Sequence, residues 1–298
     1  MQPIESHGRH HHHHHHHHHH SELSDSISQR FIWAIIINIL YVTLEFFLGF
    51  RYGSAGLLAD AGHNLSDIGG LAISLTAFFL QKKQPNDIFT YGLKKATILA
   101  AFLNSLILFG AIAMIFYESM EKFICGSSAS GWAIILTAAS GVAVNAVTVA
   151  LLAEGSKNDL NIKSAYLHMF ADTLLSLAVA VSGGLILLTD WRWLDPLAGV
   201  IIAVIILANN WTLFRESLIL LLDGVPPEIN LPQFRQQLMA TGKVRVIDRL
   251  HIRAVSTTEN ELQLKLKLVD PADAAVLHET IRQYASANRI TNTVIAME

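Results

Sequence analysis

Charge is scarce in this chain. Only 15% of its 298 residues are Asp, Glu, Lys or Arg, where soluble domains carry about 25%, and 52% are hydrophobic. With a mean hydropathy of +0.39, this excludes an ordinary soluble globule and reads as an integral protein of a lipid bilayer. Cysteine is nearly absent too. Cys125 stands alone, so no intrachain disulfide and no thiolate metal cluster can form, and the compartment cannot be read from cysteine. A soft, sulfur-preferring ion such as Cu(I) has no evident site among six scattered Met. Net charge is -3 with neutral His, which gives no sign of a nucleic-acid partner. The first 30 residues hold no apolar segment, so no cleavable signal peptide is expected.

What is present instead is six apolar runs, each near the roughly 20 residues that cross hydrocarbon: 31–50, 55–80, 96–117, 132–153, 164–189 and 194–213. Their connections are short. The reading is an α-helical membrane protein, with a six-helix transmembrane bundle over 31–222 behind an N-terminal tail over 1–30. Lys and Arg in short loops orient such a bundle. Arg30, Lys82, Lys83, Lys94, Lys95, Lys157, Lys163 and Arg215 fall on one side, against Arg51, Lys122 and Arg192 on the other. That asymmetry puts both termini in the cytoplasm. Compact loops and a short chain favour a bacterial inner membrane.

After Leu222 the composition changes. The breaker cluster Gly224-Val225-Pro226-Pro227 opens a polar stretch with turn signals and period-two alternation. Helices are expected over 231–240 and from Asp270-Pro271 to about residue 288, and strands over 244–254, 261–269 and 293–297. The αββαβ order packs as a small two-layer α+β domain over 223–298. Its nine acidic and nine basic residues balance, so no basic footprint for lipid or nucleic acid appears. A small cap of this kind after a bundle is more often a dimerisation or regulatory module than a catalytic one.

Two His-x-x-x-Asp pairs carry the chemistry. His63 and Asp67 lie in the second apolar run, His168 and Asp172 in the fifth. Residues four apart share a helix face. An Asp at mid-bilayer costs about 2.5–3.5 kcal/mol, and such groups face a bundle interior or a water-filled path. A lone intramembrane His reads as a hydrogen bond to a neighbouring helix; the same spacing in two separate helices points to joint use. Two imidazoles and two carboxylates suit a tetrahedral site for a divalent metal, zinc first. The carboxylates offset the ion's double charge. Metal and proton compete for the same His nitrogens, so such a site can exchange a metal ion for H+.

Other polar groups share these runs. Asp60, three residues before His63, lines an entry path or supports a ligand from outside the first coordination sphere. Glu45 forms a seam with Asn38 and Tyr41 on the first helix, read equally as a water-lined access route or an interhelical hydrogen bond. Asn104, Asn145 and Asn209 read as hydrogen-bonding groups between helices. Gly69-Gly70 and Gly183-Gly184 permit close packing or hinge motion.

The stretch Leu57-Leu58-Ala59-Asp60-Ala61-Gly62-His63-Asn64-Leu65-Ser66-Asp67 resembles the second-helix signature of the cation diffusion facilitator family of zinc transporters. Phe89-Thr90-Tyr91-Gly92, and Ala165-Tyr166-Leu167-His168 with Asp172, are similar to that family as well. With the layout of elements, the resemblance covers nearly everything after residue 30. It implies a homodimer with a ferredoxin-like cytoplasmic domain that exports Zn2+ from the cytosol against inward H+ flow, by alternating access. It implies that His63, Asp67, His168 and Asp172 are the transport-site ligands, with His in both pairs associated with zinc preference and Asp in place of His63 with wider acceptance of cadmium. Some members hold a further metal site between helices two and three. Here Phe89 and Leu93 stand where its His would be, beside Asp87, and that site is not expected. In the C-terminal domain His251 and His278, with Asp223, remain as a weak candidate metal set, which histidines satisfied within a strand and a helix explain as well.

The tail carries His7 and an unbroken run from His10 to His20. It reads equally as a purification tag or as a segment that collects divalent metal, irregular in either case. Two rival classes stand beside a secondary transporter. A membrane metalloenzyme is disfavoured, because four protein ligands close the site while catalytic zinc keeps a position open. The alternative is a membrane zinc-sensing scaffold that signals through its soluble domain.

Overall fold

The computed structural model describes residues 18–52, 55–125, 131–189, 191 and 193–298. His7 and His10, and the side chains of His20, Asp60 and His63, lie outside the described residues. Six long helices come first: α1 (His18–Tyr52), α2 (Ala55–Leu80), α3 (Ala96–Cys125), α4 (Gly131–Leu152), α5 (Leu160–Thr189) and α6 (Leu194–Leu221). The second matches its apolar run end to end, whereas several others overshoot theirs. Among the described residues helix α1 already spans His18, well ahead of residue 31, so the last three histidines of the run are helical, not irregular. No Pro or Gly interrupts the chain between His18 and Gly49, and nothing there stops backbone hydrogen bonding. Hydropathy marks where a helix meets lipid, not where it ends. The same holds for α3, which runs on to Cys125, and α6, which runs on to Leu221.

Among the described residues, three stretches are long and apolar enough to cross a membrane: Gln29–Leu48, Ala96–Ile124 and Gly199–Leu221. Shorter apolar stretches cover Asp67–Leu80 and Ala139–Leu152. Helix α5 is central, packed on α2, α3, α4 and α6. One apolar cluster of Phe31, Leu71, Leu152, Ile162, Ala165 and Met169 joins α1, α2, α4 and α5. Another, of Leu108, Ile112, Ala171, Ala203 and Ile206, joins α3, α5 and α6. These clusters fix the depth and rotation at which α5 presents its polar residues.

The soluble domain is built of α7 (Leu231–Ala240), β1 (Val244–Ala254), β2 (Asn260–Leu268), α8 (Ala274–Ala287) and β3 (Ile290–Met297). Its sheet has the order β1-β2-β3, with β1 antiparallel and β3 parallel to β2. It is an α+β domain with a three-stranded mixed sheet. Asn230 caps α7 by accepting from the Gln233 amide at 3.1 Å, with Pro232 in the first turn. Leu277, Ile281 and Ala285, four apart, bury one face of α8. They close on Phe234, Leu238, Leu262, Leu264 and Leu266, each large apolar side chain contributing about 1.5–3 kcal/mol by burial.

This domain sits on the α2–α3 and α4–α5 connections. Gly92 in the first has φ +70°, and a Cβ there would meet the Lys83 carbonyl at 2.9 Å, so the turn requires glycine. Lys94 pairs with Glu259 and Lys95 with Asp223. Ile98, Leu160, Leu220 and Leu221 gather around buried Ala254. Thr257, in the β1–β2 turn, donates its amide to Thr97 Oγ1 at 3.2 Å and its hydroxyl to Asp159 Oδ1 at 2.7 Å.

Candidate metal site

Asp67 projects from α2, and His168 and Asp172, one turn apart, project from α5 to meet it. His168 Nε2 lies 2.9 Å from Asp67 Oδ1 and 3.8 Å from Asp172 Oδ2. One ligand atom from each of the three falls within 4.8 Å of the others. All three are buried, at 1%, 6% and 5% exposure, so water cannot solvate them from outside the bundle. Ligands about 2.0–2.2 Å from one tetrahedral ion stand roughly 3.3–3.6 Å apart. The two contacts from His168 bracket that separation, and small side-chain adjustments would admit an ion. The 2.9 Å contact is of hydrogen-bond length and holds a proton. A metal bound to both atoms takes that proton's place.

The remaining sequence candidates fall into distinct places. His63 lies one turn before Asp67 on the α2 backbone; its side chain and that of Asp60 are outside the described residues. Glu45 is buried and accepts a hydrogen bond from Asn64 Nδ2 at 2.9 Å, linking α1 to α2. Asn38 donates to Thr148 Oγ1 and to the Ala34 carbonyl, both at 2.8 Å, which ties α1 to α4. Tyr41 and Ser140 hydroxyls lie 3.1 Å apart. In the soluble domain Asp223 and His251 line one cavity of about 300 Å³, while His278 is exposed on α8. These three do not form a three-ligand cluster among the described residues.

One assignment is corrected. Asn209 is exposed and bonds the Ile205 carbonyl of its own helix at 2.9 Å; its neighbour Asn210, fully buried, makes the interhelical bond, to the Ser105 carbonyl of α3 at 2.9 Å. Sequence reasoning also passed over Ser74, Asn161 and Ser164, buried with Asn104 beside the site. The four-residue spacing 164-168-172 on α5 was the available signal.

Two ionisable groups where the bundle meets the soluble domain have shifted pKa values. Asp159 caps α5 through its bond from the Asn161 amide at 2.8 Å. Burial raises its pKa above the ordinary 3.8, against the pull of hydrogen bonds from Thr257 and Asn161. For Glu261 burial acts upward, yet hydrogen bonds from Gln263 and Arg253 and the Arg253 charge prevail, holding it below 4.5.

An apolar helical bundle with two carboxylates and an imidazole closed inside it is a membrane protein equipped to handle a cation within the bilayer. Residues 31–222 match the family of cation efflux transmembrane domains. Over 277 residues the chain is 31% identical to the zinc transporter ZitB of Yersinia pseudotuberculosis serotype I (strain IP32953), covering 92% of this chain and 88% of that one. It is 31% identical over 263 residues to the cadmium, cobalt and zinc/H(+)-K(+) antiporter of Bacillus subtilis (strain 168), covering 87% and 85%. It is also 31% identical over 268 residues to the metal cation efflux system protein CzcD of Cupriavidus metallidurans (strain ATCC 43123 / DSM 2839 / NBRC 102507 / CH34), covering 89% and 84%. The chain belongs to the cation efflux family; it is an integral membrane transporter and not an enzyme.

Proposed function

We propose that this chain exports Zn2+, and related divalent cations such as cadmium and cobalt, from the cytoplasm in exchange for H+. The ion binds between α2 and α5 at Asp67, His168 and Asp172, with His63 as fourth ligand. The observation that carries this is the buried triad itself, with ligand atoms from two helices within 4.8 Å of one another. Its chemistry supports exchange: the position between Asp67 and His168 holds either a proton or a metal ion. Alternating access then exposes the site to one membrane face at a time. The names of relatives from Yersinia and Bacillus, a zinc transporter and an antiporter of cadmium, cobalt and zinc, support the substrate class.

The architecture that serves this function is a tail over 1–30, six spans within 31–222, and a ferredoxin-like cytoplasmic domain over 223–298, assembled as a homodimer in a bacterial inner membrane with both termini inside. The excess of Lys and Arg on the side of the soluble domain supports that orientation. The tail, with His7 and the run from His10 to His20, collects metal at the cytoplasmic face.

Zinc flux into proteoliposomes loaded with a zinc-sensitive dye and a pH-sensitive dye tests the reading. Asp172→Ala lowers flux and its coupled proton movement by roughly a hundredfold, while the protein elutes as wild type on gel filtration. Undiminished flux removes the triad from the transport path. Zinc binding in the wild type with no flux at all favours the zinc-sensing scaffold instead.

A further inference from the structure

A second polar cluster, without charge, lies between the triad and the soluble-domain end of the bundle. Ser164 stands four residues before His168 on α5, and Ser74 seven residues after Asp67 on α2. The two helices run in opposite directions, so both serines are displaced from the triad toward the same end, where the α2–α3 and α4–α5 connections carry the soluble domain. Asn104 of α3 donates through Nδ2 to Ser74 Oγ at 2.7 Å and to Ser164 Oγ at 3.3 Å. Asn161, in the first turn of α5, donates to the Ser74 carbonyl at 2.9 Å. Ser164 in turn donates to the Asn161 carbonyl at 2.6 Å. Three helices are tied together by these four side chains, each between 0% and 3% exposed.

Hydrogen bonds between helices account for the amide nitrogens and the hydroxyls, but not for the amide oxygens. Among the described residues, Asn104 Oδ1 and Asn161 Oδ1 are buried with no hydrogen-bond partner. A buried acceptor left unpaired loses its hydration with nothing to offset the loss, and an ordered water or an ion is one way such a group is satisfied. Beside Asn104 the partner helix carries Gly70, whose absent Cβ would sit 3.7 Å from Oδ1. The asparagine oxygen therefore faces bare backbone rather than a side chain.

Amide and hydroxyl oxygens are hard, neutral donors that suit a divalent cation still holding part of its water shell. Carboxylate and imidazole hold the same ion far more firmly. A route through a membrane needs stations favourable enough to enter and weak enough to leave. We propose that Ser74, Asn104, Asn161 and Ser164 form a neutral oxygen station on the soluble-domain side of the triad, through which a partly hydrated divalent cation passes on its way to Asp67, His168 and Asp172. In the conformation observed, the hydrogen bonds of the station hold α2, α3 and α5 closed across that route. Passage of the ion exchanges these bonds for bonds to water and metal. The station rests on the transport role proposed for the triad.

The test compares Asn104→Leu, Asn104→Asp and Asp172→Ala in the full chain, by zinc flux in proteoliposomes and by zinc bound at equilibrium. Binding at the triad is the zinc that wild type holds and Asp172→Ala lacks, which cancels the contribution of the His-rich tail. Asn104→Leu lowers flux about tenfold and leaves triad binding intact. Asn104→Asp, nearly isosteric, turns a station of passage into a trap: it binds one further zinc per chain and slows flux. Wild-type flux in Asn104→Leu overturns the proposal. So does a flux loss matched by an equal loss of triad binding, which makes the cluster mere support for the triad. If Asn104→Leu does not fold, Ser164→Ala carries the same readouts. Full flux in Asp172→Ala is a separate result and removes the triad assignment on which the station depends.

Discussion

The bundle and the soluble domain are built on opposite plans. In the soluble domain the interior is apolar: Phe234, Leu238, Leu262, Leu264, Leu266, Leu277 and Ile281 are all at most 2% exposed, and the charged residues lie mostly outside. In the bundle the buried set includes Asn38, Glu45, Asn64, Asp67, Ser74, Asn104, Asn161, His168 and Asp172. Beside its buried apolar clusters, many of its large apolar groups point outward, with Leu40 and Phe47 each 65% exposed, as suits a surface solvated by lipid. Interior side chains in the one region supply folding free energy. In the other, packing between helices must hold the fold around polar groups that cost free energy to bury.

That contrast can be broken at three places. The largest expected effect on stability is in the soluble domain. Leu262→Ala empties a fully buried position on the central strand and costs about 2–5 kcal/mol, read as a lower unfolding midpoint. Flux per folded protein remains that of wild type, the converse of what Asp172→Ala produces. A flux loss without destabilisation would mean that the soluble core is part of the transport machinery.

A smaller effect is expected where the two plans meet, at Asp159. Its pKa is raised in the folded state by burial, so the folded chain holds a proton that the unfolded chain has released. Stability therefore falls as pH climbs from 3.8 through the raised value, and stays lower above it. Asp159→Asn keeps a helix-capping oxygen and removes the buried charge. It flattens this pH dependence, whereas Asp159→Ala loses the cap at about 1 kcal/mol. Melting curves across the acid range check both, and an undiminished slope in Asp159→Asn would assign the pH dependence to another group. Glu261 acts in the opposite sense: its stabilisation is present above 4.5 and lost as pH falls through its depressed value.

The smallest effect is one of selectivity. His63→Asp replaces an imidazole by an oxygen donor and shifts the ratio of zinc to cadmium flux severalfold, roughly, with little change in zinc flux itself. An unchanged ratio would show that selectivity is set elsewhere on the route.

Much of this was legible in the chain because period and composition answer to local physics. The apolar run 55–80 became α2 without adjustment, and 231–240 and 244–254 became α7 and β1, since a helix capped by Asn230 and Pro232 and an alternating strand carry their own punctuation. Helix ends in the bundle were less legible, because α1 and α6 continue past their lipid-facing stretches on backbone hydrogen bonds alone. Asn209 and Asn210 show the limit most clearly. They differ by about 100° of rotation on α6, a helix apolar nearly all round, so no amphipathic stripe says which of the two turns inward.

By itself, then, the sequence determined that each His-x-x-x-Asp pair shares a helix face and sits where charge must be compensated, because spacing along a helix is a covalent fact. Only the tertiary structure decided that Asp67 of α2 meets His168 of α5 at 2.9 Å, that Asn210 rather than Asn209 binds a neighbour, and that Asn104 joins Ser74 to Ser164. The reason is that helix rotation and depth are set by packing among all six helices, a sum over contacts that no single stretch of chain contains.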